Sequence, residues 1–189
     1  MKKKDIRKIE LEKRIQLSPV ELQNKTASIL VQYNQLTLPS IQYLLSYYPL
    51  RERNEFDVSL CENLMKEKNP SINIAWPKIV FNTSGMDAHL IEKSKLFLKN
   101  KFNILEPLDG DIVPATSLDM VFVPLIAFDK KGYRVGYGKG FYDRYLPYCR
   151  DNVVKIGFSF FEAVGKIDDI NEFDVPLNLC ITPTCIYEF

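Results

Sequence analysis

The segment Gly132-Tyr133-Arg134-Val135-Gly136-Tyr137-Gly138-Lys139-Gly140-Phe141-Tyr142-Asp143-Arg144 concentrates the residue types most able to do chemistry. Gly136, Gly138 and Gly140 alternate. Glycine reaches positive φ without steric cost, so successive backbone N–H groups can turn into one concavity. Such a nest, followed by a helix N-terminus, attracts phosphate. Arg134 and Lys139 add full positive charge, and a guanidinium binds phosphate oxygens in bidentate fashion. Asp143 falls in the first turn of the following helix. There a carboxylate either complements the helix dipole or holds a divalent cation bridging those oxygens. The spacing matches neither GxxxxGKS/T nor GxGxxG, and alternating glycines also make hairpins that bind nothing. Taken alone, the pattern leaves both readings open.

A second charged feature lies at the start of the chain. Lys2, Lys3, Lys4, Arg7, Lys8, Lys13 and Arg14 face only three acids among the first fourteen residues, a local net of +4, although the whole chain carries +1. A basic arm on a mildly acidic body suits an anionic partner, and equally a solvated helix face. The near-balance of the whole argues against a surface built to grip nucleic acid. Cys61, Cys149, Cys180 and Cys185 show no CxxC spacing and His89 is the only histidine, which argues against a structural zinc. No apolar leader follows the basic start, and the apolar run Met120 to Phe128 is short and broken by Pro124. The expectation is a soluble cytoplasmic protein with reduced thiols and no membrane partner.

The elements that must position these groups can be read from periodicity. Ile6, Ile9, Leu11 and Ile15 recur at helical spacing over Lys3 to Leu17. Ser18-Pro19-Val20-Glu21 has the form of a capping box opening a second helix to about Tyr33. Ile41 to Tyr48 reads as a buried strand, Phe56 to Lys68 as a helix, and Ile72 to Ala75 and Lys78 to Phe81 as strands around Pro77. Asn82 to Pro114 reads as loops with a short helix near Glu92 to Asn100. Asp119 to Phe128 is the strongest strand, apolar enough for the centre of a parallel sheet. A helix from Gly140 to Tyr145 and strands Val153 to Phe160 and Leu179 to Thr182 complete the pattern. With 189 residues, 46% hydrophobic and 26% charged, the chain reads as one α/β domain, 1–189, with a mainly parallel sheet. The glycine segment then lies beyond the C-terminal end of the best strand, where ligands bind in such sheets.

The run VPLIAFDKKGYRVGYGKGFYDRYL resembles the signature of the 5-formyltetrahydrofolate cyclo-ligase family. Lys3 with Arg7, Tyr47-Tyr48-Pro49 before Glu55-Phe56-Asp57, Trp76-Pro77-Lys78, Ile104-Leu105-Glu106-Pro107 and Leu118 to Pro124 are similar to family segments too. The resemblance implies a three-layer αβα sandwich like that of ribose-phosphate isomerase and coenzyme A transferase. It also implies ATP- and Mg²⁺-dependent closure of 5-formyltetrahydrofolate to 5,10-methenyltetrahydrofolate by a monomer. Carried over by position, Lys3, Arg7, Arg134, Gly136, Tyr137, Gly138, Lys139, Gly140, Phe141 and Tyr142 would bind ATP. Arg7, Leu50, Glu55 and Tyr137 through Phe141 would meet the folate, Arg134 and Lys139 would serve catalysis, and Asp143 and Asp174 would hold the metal. Phe173 stands where the family often has His. Two rival readings are another ATP-dependent ligase or kinase on this scaffold, and a non-catalytic module whose basic arm binds RNA or an acidic protein.

Overall fold

Ser18 sets the first helix boundary. Its Oγ accepts from the Glu21 N–H at 3.3 Å while the Glu21 carboxylate accepts from the Ser18 N–H at 2.9 Å, so two donors at the helix start are satisfied reciprocally. In a computed structural model that describes residues 1–83, 85–91, 97–101 and 104–189, this box separates α1 (Lys3–Ile15) from α2 (Pro19–Gln35). The chain continues through β1 (Tyr43–Leu45), α3 (Ser59–Lys68), β2 (Asn73–Val80) and β3 (Gly85–Leu90). Four short strands follow: β4 (Phe97–Lys99), β5 (Leu105–Pro107), β6 (Asp111–Val113) and β7 (Met120–Phe122). The hairpin β8 (Ala127–Phe128) and β9 (Arg134–Val135) leads to α4 (Phe141–Tyr145). Strands β10 (Val154–Phe158), β11 (Leu179–Ile181) and β12 (Ile186–Glu188) close the chain.

Eight strands form one sheet in the order β12-β11-β10-β7-β1-β2-β3-β6. The five from β11 to β2 run parallel, and β12, β3 and β6 add antiparallel edges. Side chains alternate strictly between the faces. Leu44, Ile74, Met120, Phe122, Ile156 and Ile181 pack with Ile29 and Tyr33 of α2 and Cys61 and Met65 of α3. Leu45, Ala75, Val121 and Cys180 pack on the other face with Tyr145 and Leu146. That second face is covered by α4 and by single helical turns at Ala115–Ser117 and Leu146–Tyr148. Among the described residues, no helix is long and apolar enough to cross a membrane.

Four sequence expectations are corrected. The strand at Asp119 to Phe128 pairs in the main sheet only from Met120 to Phe122. Pro124 lacks the N–H the ladder would need, and the chain leaves the sheet there to form the β8–β9 hairpin. The two candidate strands around Pro77 are one continuous β2. Ile79 N–H, two residues on, donates to the Glu106 side chain at 2.9 Å and not to β3, so the nitrogen of Pro77 faces the same outer side, where no ladder bond is required. The segment from Asn82 to Pro114, read as loops, contributes β3 and β6 to the sheet. Of the helix expected over Glu92 to Asn100, residues 92–96 lie outside the described residues. Phe97–Lys99 is a strand, held by pairing with β5 and by the Phe97 ring 4.4 Å from that of Tyr48.

A third, smaller apolar cluster matters for the site. Ile6 of α1 packs with Ala127, Val135 and Ile167, docking the first helix onto the hairpin that carries the glycine loop.

Candidate active site

Loop and helix meet at an open cleft of about 1100 Å³. Gly138 and Gly140 adopt the positive φ angles that their lack of Cβ permits, +86° and +66°, whereas Gly136 does not. The Gly136 carbonyl instead accepts from Arg7 Nε at 2.7 Å. A Cβ built on Gly138 would sit 3.4 Å from both Cζ and Nη2 of Arg7, so the loop backbone and this guanidinium share one small space. Lys3, four residues earlier and on the same helix face, donates to Asp174 Oδ2 at 2.5 Å. Asp174 Oδ2 also accepts from the Asn171 N–H at 2.7 Å.

Behind the loop, Arg134 is buried and charged. Its Nη2 donates to Asp143 Oδ1 at 2.9 Å and its Nη1 to the Val175 carbonyl at 2.5 Å. Val175 N–H returns a bond to Asp143 Oδ1 at 3.2 Å, so Asp143 and Asp174 lie at one edge of the cleft. Burial pulls the Arg134 guanidinium down from its ordinary range, against the Asp143 charge that holds it up; guanidinium basicity leaves it protonated regardless. Each of the two aspartates has one oxygen engaged twice. The other oxygen has no hydrogen bond among the described residues. Among those residues no three His, Cys, Asp or Glu side chains cluster to cage a metal. Two carboxylates with a spare oxygen each are, however, the hard donors with which a protein holds magnesium alongside substrate phosphates.

Of the sequence-predicted residues, Lys3, Arg7, Arg134, Gly136 through Tyr142, Asp143 and Asp174 all line this cleft. Leu50 and Glu55 do not. The Glu55 carboxylate is buried behind the loop, accepting from the Tyr137 hydroxyl at 2.6 Å and from the Leu50 N–H at 2.8 Å. Burial raises its carboxyl above the usual range, with Arg14 and the Tyr137 hydrogen bond pulling the other way. The hydroxyls of Tyr142 and Tyr145, also on the cleft, are buried without a hydrogen-bond partner among the described residues. A buried hydroxyl left unpaired is costly, which suits a wall that a ligand completes.

A chain built this way, with a basic first helix docked on a glycine loop beyond a parallel sheet, matches one family along nearly its whole length. The model of the 5-formyltetrahydrofolate cyclo-ligase family fits residues 3–183. The chain belongs to that family. The 5-formyltetrahydrofolate cyclo-ligase of Mycoplasma pneumoniae is 31% identical over 186 residues, covering 96% of this chain and 98% of that protein. Its counterpart in Mycoplasma genitalium is 29% identical over 184 residues, covering 94% and 97%. Among solved structures, a 5,10-methenyltetrahydrofolate synthetase from Mycoplasma pneumoniae superposes with a TM-score of 0.76 at 27% identity, over 97% of this chain and 99% of that one. The Aquifex aeolicus 5,10-methenyltetrahydrofolate synthetase gives 0.78 at 26% identity, over 100% and 93%.

As a member of the cyclo-ligase family the chain is a ligase, which sets aside the non-catalytic module. Sequence reading missed the part played by Arg14, which is 4% exposed and bonded to the loop. A signal was present: at about 100° per residue, Lys3, Arg7 and Arg14 fall within roughly 40° of one another on α1. Phe173 and Tyr148, 71% and 72% exposed at the cleft, gave no such signal.

Proposed function

We propose that the protein converts 5-formyltetrahydrofolate to 5,10-methenyltetrahydrofolate, consuming ATP, with Mg²⁺ on the nucleotide. The observation that carries this reading is convergence. Two cations from α1, a positive-φ glycine loop, the Arg134–Asp143 pair and Asp174 share one cleft. Such a set suits a triphosphate more than any neutral ligand, because phosphoryl transfer is catalysed chiefly by positioning and charge neutralisation.

The chemistry then follows in two steps. The formyl oxygen attacks the γ-phosphorus as the bond to ADP breaks, leaving that oxygen phosphorylated and the formyl carbon imidate-like and electrophilic. N10 attacks that carbon and gives up its N–H proton, the C–O bond breaks with that proton leaving on the released phosphate, and the five-membered ring closes. Arg7 and Lys3 hold the polyphosphate from the helix side, and Lys139 meets charge developing on the transferred group. Arg134 acts from behind the loop, fixing Asp143. Bound magnesium, held by Asp143 and Asp174, would neutralise phosphate charge. Tyr137 to Phe141 form the floor on which the folate meets the nucleotide, and Leu50 and Glu55 support it from beneath. Four free cysteines suit a reducing cytoplasm.

The test is direct. Purified protein given 5-formyltetrahydrofolate, ATP and Mg²⁺ should generate the near-ultraviolet absorbance of the methenyl product with one ADP per turnover. Absence of that product, with ATP consumed only when a different carboxylic acid is supplied, would favour another ATP-dependent ligase.

A further inference from the structure

Arg14 is a buried cation with an unusual set of partners. Its Nε donates to the Arg53 carbonyl at 2.9 Å, its Nη1 to the Leu125 carbonyl at 2.9 Å, and its Nη2 to the Tyr137 hydroxyl at 2.5 Å. The same hydroxyl donates to Glu55 Oε1 at 2.6 Å. The phenol therefore has only one geometry available: accept from the guanidinium, donate to the carboxylate. Arg53 lies 5.3 Å from the centre of the Tyr137 ring, packing it from another direction. Beneath, Asn54 sits at a φ of 48° and its amide donates to the Arg14 and Ile15 carbonyls at 3.1 and 3.2 Å, capping the end of α1. One guanidinium thus joins the first helix, the segment from Leu50 to Glu55, the start of the β8 hairpin and the glycine loop.

We propose that Arg14 is a positioning residue for the ring closure: it aims Tyr137, and through it Glu55, so that the loop presents one fixed surface to the folate. This rests on the function proposed above. The nearest carboxylate to Arg14 in this chain of bonds is Glu55, and the other charged or titratable groups facing Glu55 are Arg53, Tyr47, Tyr137 and Tyr142. Neutralising Arg14 leaves Glu55 buried with Arg53 as its only cation in that set, and frees the Tyr137 ring to turn. A simple anchor for α1 would need only the Leu125 and Arg53 carbonyls. It would have no reason to reach the one hydroxyl in the loop.

A double-mutant cycle separates the two roles. Tyr137→Phe removes the shared hydroxyl and Arg14→Met keeps the stem without the donors. Each single change should raise the KM for 5-formyltetrahydrofolate roughly tenfold, the loss expected for a hydrogen bond to a charged group. The double variant should show no further rise, and Arg14→Lys should recover part of the loss. Additive effects on KM, or wild-type KM in Arg14→Met with only a lowered melting temperature, would overturn the proposal. If Arg14→Met does not fold, Arg14→Lys takes its place in the cycle, and a wild-type KM for that variant beside an impaired Tyr137→Phe overturns it equally. Failure of the wild-type protein to form the methenyl product would instead refute the function itself.

Discussion

Replacing Gly138 by alanine tests the loop where its geometry is most demanding. The residue holds a φ of +86°, and an L-residue in the left-handed region costs roughly 1–2 kcal/mol. For a chain of this length each kcal/mol lowers Tm by roughly 2–4 °C, so a fall of about 2–8 °C is expected. The added methyl has a second effect. It would lie 3.4 Å from the Arg7 guanidinium, ordinary contact that leaves the Arg7–Gly136 bond in place but fills the gap a phosphate oxygen would use to reach both groups. Losing such a charge-assisted contact costs about 1.5–3 kcal/mol, or a rise in the KM for ATP of roughly ten- to a hundredfold. Gly165→Ala is the internal control, since its Cβ would meet nothing within 4 Å and its φ is not positive. Thermal scans and initial rates of methenyl formation at varied ATP provide the measurement. A Gly138→Ala variant indistinguishable from Gly165→Ala in both would refute the claim that this glycine shapes a phosphate cradle.

Three further outcomes are expected. Asp143→Asn keeps an oxygen for Arg134 and Val175 while removing the charge, so it should fold yet lose about a hundredfold or more in turnover, whereas Asp143→Ala, leaving a buried guanidinium unpaired, should also lose stability by about 3–5 kcal/mol in denaturant titration. Lys3→Met should raise the KM for ATP about tenfold with a smaller change in kcat, measured by steady-state kinetics. Glu62 is buried and donated to by Ser46, and burial raises its carboxyl above 4.5. Its ionised form therefore costs stability at neutral pH, so Glu62→Gln should raise Tm at pH 7. That gain should shrink as pH falls through the raised value and vanish below about pH 4.5, where the carboxyl is protonated in both folded and unfolded chains.

Local chemistry was legible where it acts over a few residues. The Ser18 box, the start of α1 at Lys3, the end of α3 at Lys68 and the positive φ of Gly138 and Gly140 all follow from side-chain types within one turn of the chain. The strands of the 82–114 region were not, because Met86, Ala88 and Val113, which pack on the sheet face, are few and are interrupted by the polar Asp87 and the buried His89, and β3 takes its place only by pairing with β2 on one side and β6 on the other. The length of β7 was overestimated because an apolar run does not say where its ladder partner ends; Pro124 does, and it carried the signal. At the site, the glycines, Arg134, Lys139 and Asp143 stood out by type and spacing, while Lys3, Arg7 and Asp174 came from the family resemblance; all of them line one cleft. The buried link from Arg14 to Tyr137 and Glu55 was not, since it joins positions 14, 55 and 137 only after the sheet has brought them together.

The pairing of Lys3 with Asp174 spans 171 positions, and this has a bearing on biosynthesis. A helix translated first has nowhere to dock until the hairpin and the segment that follows β10 have left the ribosome, so assembly of the cleft is a late event of long-range closure. Incomplete chains that end before position 174 lack both that acidic partner and the carbonyl that orients Arg134, so the two sides of the cleft are not yet tied together in them.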